Sequence, residues 1–195
     1  TAYTTVMDAQ GEASGIVLFV RDITDHLKAE RELERHRQNL ERLVEERTFE
    51  LGEAHATLAK IIDASPVPTL VLDAGHRITH WNAACEQIIG VPASQMVGTR
   101  DQWKAFYPNQ RPIMADLVIT GEMTRIQELY SNKYRRSKLV HGGYEAEDYF
   151  PMFDRWLFFT AAPLHDKQGR IVGAIETLQD ITERKQAEEK LATYR

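Results

Sequence analysis

Two stretches of this 195-residue chain repeat each other without a gap. DAQGEASGIVLFVRDITDHLKAEREL, Asp8 to Leu33, returns 158 residues later as DKQGRIVGAIETLQDITERKQAEEKL, Asp166 to Leu191. The pairs Asp8/Asp166, Gln10/Gln168, Gly11/Gly169, Gly15/Gly173, Asp22-Ile23-Thr24/Asp180-Ile181-Thr182, Ala29/Ala187, Glu30/Glu188 and Leu33/Leu191 are identical. A fixed offset is the mark of repeated architecture. Each copy reads as a polar turn containing Gly, an apolar β-prone run (Ile16 to Val20; Ile171 to Leu178), then Asp-Ile-Thr and a charged helix. The echo therefore marks the end of a structural unit. On that reading residues 1–24 are the last strand or strands of a preceding domain, 25–64 a helical linker, 65–183 one complete domain, and 184–195 the start of an outgoing helix. The chain is expected to be an excerpt from a tandem array.

Between the first Asp-Ile-Thr and Pro66 the sequence has no proline and is dense in Glu, Arg and Leu, a composition that favours helix. Steps of four and three from Leu33 reach Arg37, Leu40, Val44, Arg47, Leu51, Ala54, Leu58 and Ile61, a heptad seam interrupted by two arginines. Such a seam predicts a parallel dimeric coiled coil with weak points, a rod of roughly 54 Å at about 1.5 Å per residue. Thr24 is expected to cap its start, with Asp25 placing negative charge on the positive helix end. The competing reading is an amphipathic helix packed on its own domain.

A net charge of −5, with 43% hydrophobic and 27% charged residues, supplies no electrostatic reason to seek nucleic acid or an anionic membrane. The single cysteine, Cys85, excludes an internal disulfide framework and fits a reducing compartment. No apolar run reaches the roughly 18 residues of a membrane span, so a cytoplasmic setting is expected for these residues.

After Pro66, VPTLVLDAGHRITHWNAACEQIIGV reads as strand, turn at Ala74-Gly75, strand and helix, with Asn82 as cap and Gly90 as terminator. A helical turn follows at PASQMVG, with Pro92 at its first position. Helix is expected from Pro112 to Thr120 and from Met123 to about Leu139. Gly142-Gly143 opens a strand at YEAEDYF, and RWLFFTAAPLHD and RIVGAIETLQDIT form the last two strands around a turn at Lys167 to Gly169.

The hairpin-plus-helix at VLDAGHRITHWNAACEQIIGV, and the two strand ends DAQGEASGIVLFVRDITD and DKQGRIVGAIETLQDITE, resemble the PAS family. The resemblance covers 65–183; residues 99–155 depart from it and are longer than usual. It implies an α+β fold, a five-stranded antiparallel sheet with short helices on one face, preceded here by the long coiled-coil helix. It further implies a sensory module that detects a small ligand or redox cue and passes the change through its helices to an output domain. The linker LERLVEERTFEL is similar to those of bacterial sensor kinases of two-component systems, so a kinase or cyclase elsewhere in the parent chain is the expected output. The junction residues Asp22, Thr24, Asp180, Ile181 and Thr182 would carry the signal, with Thr182 capping the departing helix and Asp180 accepting hydrogen bonds at the strand end.

The chain carries no glycine-rich phosphate loop, Cys-x-x-Cys, His-Glu-x-x-His or Gly-x-Ser-x-Gly motif, so catalysis is expected outside it. His26 lacks the proline that follows a kinase phosphoacceptor histidine. HGGYEAEDYFPMFD gathers His141, Glu145, Glu147, Asp148 and Asp154, from which a hard-metal site or merely an acidic strand edge could be built. Haem would need an axial histidine, with His80 and His141 as candidates. Cys85 lies outside the motif of the flavin-binding light sensors and is expected to pack as a small apolar residue. The cofactor thus stays unknown, with haem or metal as alternatives.

The middle segment is rich in aromatics, which either line a ligand pocket or fill an enlarged core. Trp103, Phe106, Tyr107, Tyr130, His141, Phe158 and Thr160 are the cavity residues expected on the first reading. Three functions are then in play: a ligand-sensing module in a homodimer joined by the coiled coil, a ligand-free dimerisation and alignment module whose cavity is filled, and a haem- or metal-dependent redox unit.

Overall fold

The computed structural model describes residues 2–19 and 21–193; Val20, in the expected β-prone run, and residues 194–195, at the end of the segment expected as an outgoing helix, lie outside the described residues. The chain divides into two compact units, Thr1–Ala54 and His55–Arg195.

In the first unit, β1 (Ala2–Met7) and β2 (Ala13–Phe19) form an antiparallel hairpin. It is followed by α1 (Thr24–Asp63), whose last turns belong to the second unit. Along α1 no residue is buried, and the seam residues Leu33, Leu40, Val44, Leu51, Leu58 and Ile61 are exposed. The seam arginines are paired within the helix, Arg37 with Glu34 at 2.8 Å and Arg47 with Glu50 at 2.7 Å. Among the described residues no helix is long and apolar enough to cross a membrane.

The second unit is built on a six-stranded antiparallel sheet in the order β4-β3-β8-β7-β6-β5. Its strands are β3 (Thr69–Asp73), β4 (Ile78–Trp81), β5 (Tyr134–Arg136), β6 (Tyr144–Phe150), β7 (Arg155–His165) and β8 (Ile171–Asp180). Between β4 and β5 lie α2 (Ala83–Ile89), α3 (Ala93–Met96), a 3-10 turn at Gln102–Ala105, α4 (Met114–Thr120) and α5 (Met123–Tyr130). The outgoing helix is α6 (Thr182–Thr193).

Two expectations are corrected here. The helix drawn to Leu139 ends at Tyr130, where Ser131 takes φ +44°, and Tyr134 to Arg136 instead pair with Ala146 to Tyr144. The sheet therefore gains a short sixth edge strand. The cap of each helix after Asp-Ile-Thr is also Asp rather than Thr: Asp22 Oδ1 accepts from Thr24 N and Asp180 Oδ1 from Thr182 N, both at 2.9 Å. Thr24 and Thr182 are already the first residues of their helices, too far in for their hydroxyls to serve as the N-terminal acceptor.

Strand alternation sorts the sheet into two faces. Leu70, Leu72, Ala146, Phe150, Leu157, Phe159, Ala161, Ala174 and Leu178 pack into one buried cluster with Met114, Leu117 and Ile126 of the helical layer. Asn82, 2% exposed, ties that layer to the incoming helix. Its Oδ1 accepts from Thr69 N and Cys85 N, and its Nδ2 donates to Ile62 O and Val67 O. Of these contacts only the cap on α2 is legible in the sequence. Cys85 is buried as expected, and burial pushes its thiol up to about 12.

Candidate functional site

The space between sheet and helices is filled by aromatic rings. Phe106 meets Phe150 at 5.9 Å between centroids, Phe150 meets Phe159 at 6.0 Å, and Tyr130 meets Phe159 at 5.7 Å. Such tilted and edge-to-face pairs are the favoured packing of buried rings. Burial pushes the Tyr107 hydroxyl up to about 12 and Tyr130 well above its ordinary value.

A concavity lies outside that core. A cleft of about 660 Å³ opens over the helical layer, lined by His76, Gln102, Trp103, Arg111, Asp116 and Arg125 among others. This volume is within the usual range for small-molecule sites, roughly 300–1,000 Å³. Asp116 organises its floor. Its Oδ1 meets His76 Nδ1 at 2.7 Å and accepts from Gln102 Nε2 at 2.8 Å, while Oδ2 accepts from Ile113 N at 3.0 Å. Beside it the Arg111 guanidinium lies 4.0 Å from the centroid of the Tyr107 ring and 5.0 Å from that of Tyr130. Arg111 Nε and Nη2 and Gln102 Oε1 are buried and have no hydrogen-bond partner among the described residues.

Below α4, Glu176 is buried on the inner face of β8 and accepts from Ala115 N at 2.7 Å. Burial pushes its carboxyl up to about 8, with the Ala115 hydrogen bond acting against the shift and Asp116 adding to it. Nothing in the sequence pattern singles out Gln102, Arg111 or Asp116, and Glu176 is not among the expected site residues. The one signal was a polar residue at an inward position of an apolar strand, Glu176 in IVGAIETL.

The seven expected cavity residues do not converge. Trp103 lines the cleft, Tyr107 and Tyr130 back it through Arg111, and Phe106 is core. Phe158 and Thr160 pair with Gln179 and Thr177, a register that puts them on the face opposite Phe159 and Glu176. His141 sits in the exposed loop before β6. Glu145 and Glu147 do share a face, but each is engaged by cations: Glu145 by Arg135, Glu147 by Arg184 and Lys185. Among the described residues no three His, Cys, Asp or Glu side chains are grouped to hold a metal ion.

On that opposite face lies the junction to α6. Thr182 Oγ1 accepts from Trp156 N at 3.0 Å and donates to Asp180 Oδ1 at 2.6 Å, and Arg155 pairs with Asp180. Burial alone would raise the Asp180 carboxyl; the hydrogen bonds from Thr182 and Arg155 outweigh it and hold the group below the usual range. Lys185 of α6 reaches Glu147 of β6 at 2.7 Å and lies 5.3 Å from the Trp156 ring centroid. The helix is thus tied to three strands.

The second unit is a sheet with its helical layer on one face and a terminal helix bound to its strands. The sequence profile of the family described as PAS fold matches residues 62–186, and the chain belongs to that family. Among solved structures it is similar to the PAS domain of Bordetella pertussis BvgS, at 20% identity and TM-score 0.43 over 72% of this chain and 96% of that one. A PAS domain of a Colwellia psychrerythraea protein matches at 19% identity and TM-score 0.42, over 67% and 98% of the two chains. That of an HTR-like protein from Haloarcula marismortui matches at 16% and 0.42, over 70% and 99%. No curated protein matches the chain at a significant level.

Proposed function

We propose that this PAS domain detects a small ligand and passes the resulting change in its sheet to α6, and through it to an output domain of the parent protein such as a kinase or cyclase. The carrying observation is the bridge from β7 to the helix start, Trp156 N to Thr182 Oγ1. A strand shift that moves Trp156 must either drag Thr182 or break that bond. Asn82 offers a matching tie at the other end, between the last turn of α1 and β3. Residues 1–24 are the end of a preceding repeat, and the exposed seam of α1 joins two chains in a parallel homodimer.

A second reading, a ligand-free module that only aligns the dimer, is favoured by the aromatic filling of the interior. Native mass spectrometry of protein taken directly from its expression host separates the two. A dimer with added mass on each subunit supports sensing, and the mass distinguishes haem, metal and organic ligand; a bare dimer favours alignment, and a monomer removes the coiled coil from both. In the parent protein, output that still follows its stimulus after Asp180→Ala and Thr182→Ala together would end the transmission reading.

A further inference from the structure

We propose that the cleft over the helical layer, rather than the filled interior, is the ligand site, and that it takes a small hydroxylated anion, a hydroxycarboxylate or a phosphorylated hydroxy compound. This rests on the reading of the domain as a ligand sensor. The two unpaired Arg111 atoms, Nε and Nη2, form one edge of the guanidinium. That edge is the fork that meets a carboxylate or phosphate with two parallel hydrogen bonds. Buried donors without acceptors are unfavourable and uncommon, so a fork held between two tyrosine rings and left unpaired is a fork shaped for an acceptor.

Gln102 supplies the second contact. It is 3% exposed, and its orientation is set by chemistry, because Nε2 faces the Asp116 carboxylate and His76 O, where an oxygen would be repelled. Oε1 is therefore the free atom, an acceptor that asks for a donor on the ligand. Charge decides which donor. Asp116 is already engaged by His76 and Gln102, and Glu122 by Arg125 at 3.2 Å, while among the described residues Arg100 and Arg111 have no ion pair. The surplus is positive, which attracts an anion and disfavours an ammonium donor. A hydroxyl fits.

Calorimetric titration of the full chain with malate, 3-phosphoglycerate, succinate and glycerol tests this. Saturable binding of malate or 3-phosphoglycerate is expected, and which of the two binds tighter separates carboxylate from phosphate recognition. Succinate, without the hydroxyl, should bind about tenfold more weakly or worse than malate, and glycerol, without the anion, should not bind. Arg111→Lys keeps the charge but loses the fork and should weaken binding about tenfold or more, with unchanged far-ultraviolet circular dichroism. Should that variant fail to fold, loss of the malate–succinate difference in Gln102→Leu gives the same support. No anion binding at millimolar concentration, or equal binding by folded Arg111→Lys, overturns the site. A molecule that copurifies equally with Arg111→Lys and the unmodified protein would keep the sensing reading and move its ligand elsewhere.

Discussion

The two copies of the repeated segment fold alike in their turns and helix caps and differ in what holds them. Both turns close with the same bonds: Asp8 N to Glu12 O at 2.8 Å against Asp166 N to Arg170 O at 3.0 Å, and Asp Oδ1 accepting from Gln10 or Gln168 N at 2.9 Å in each. Gly11 and Gly169 take φ +81° and +78°. The register slips at the same place, Val6 to Met7 and Leu164 to His165, and the Asp-to-Thr caps are equal. Beyond the segment the likeness stops. Asp180 is also gripped by Arg155, Thr182 by Trp156, and α6 by Glu147, whereas among the described residues Asp22 meets Thr24 alone. Ile181 is 5% exposed and Ile23 49%. A motif can therefore build its own turn and cap, yet how firmly it is held depends on the strands that bind it.

The sharpest way to break this comparison is the central isoleucine. Ile181→Ala should cost about 2–4 kcal/mol in the unfolding of the domain by denaturant, as for other buried aliphatic truncations, while Ile23→Ala leaves that transition where it was. Equal effects would mean both junctions are anchored. Next comes the pair Asp180→Ala and Thr182→Ala, expected to cost roughly 1–2 kcal/mol once solvent screening of the Arg155 contact is allowed for, with the matching Asp22 and Thr24 changes invisible in the same melt.

The second copy carries Glu176 where the first has Leu18. The Glu176 carboxyl is pushed up to about 8, above its value in the unfolded chain of about 4.3, so the folded state holds its proton where the unfolded state has lost it. Stability from this group is complete below about pH 4 and is lost as pH rises towards 8. Glu176→Gln keeps an acceptor for Ala115 N and should flatten that decline, making the variant more stable than the parent by more than about 1 kcal/mol at pH 8 in paired denaturant titrations. A parallel pH profile in the two proteins would show that Glu176 ionises freely. The smallest effect belongs to the turns. Gly169→Ala should cost about 1 kcal/mol because alanine resists positive φ, and Gly11→Ala should carry the same local cost, read by amide exchange in β1 and β2 rather than by the domain's melt.

What could be read from the sequence is what neighbours within four residues decide. The offset of 158 aligned the hairpins and the helix starts correctly, the Ala74-Gly75 turn and the Asn82 and Gly90 ends of α2 stand where they were expected, and the heptad steps follow one α-helix from Thr24 to Asp63. Each depends on a turn hydrogen bond, a side chain over its own backbone or a period of 3.6, all present in a short window of residues. Tertiary structure decided the rest. Aromatic residues are equally suited to a core and to a pocket, and only strand register turned Phe159 inward and Phe158 outward. The cleft draws Gln102, Arg111 and Asp116 together with His76, on the far side of a turn, a strand and two helices. Of the partners of Asp116, Gln102 and His76 lie 14 and 40 residues away, a distance over which composition and spacing carry no information, because contact there is set by how the whole layer closes over the sheet.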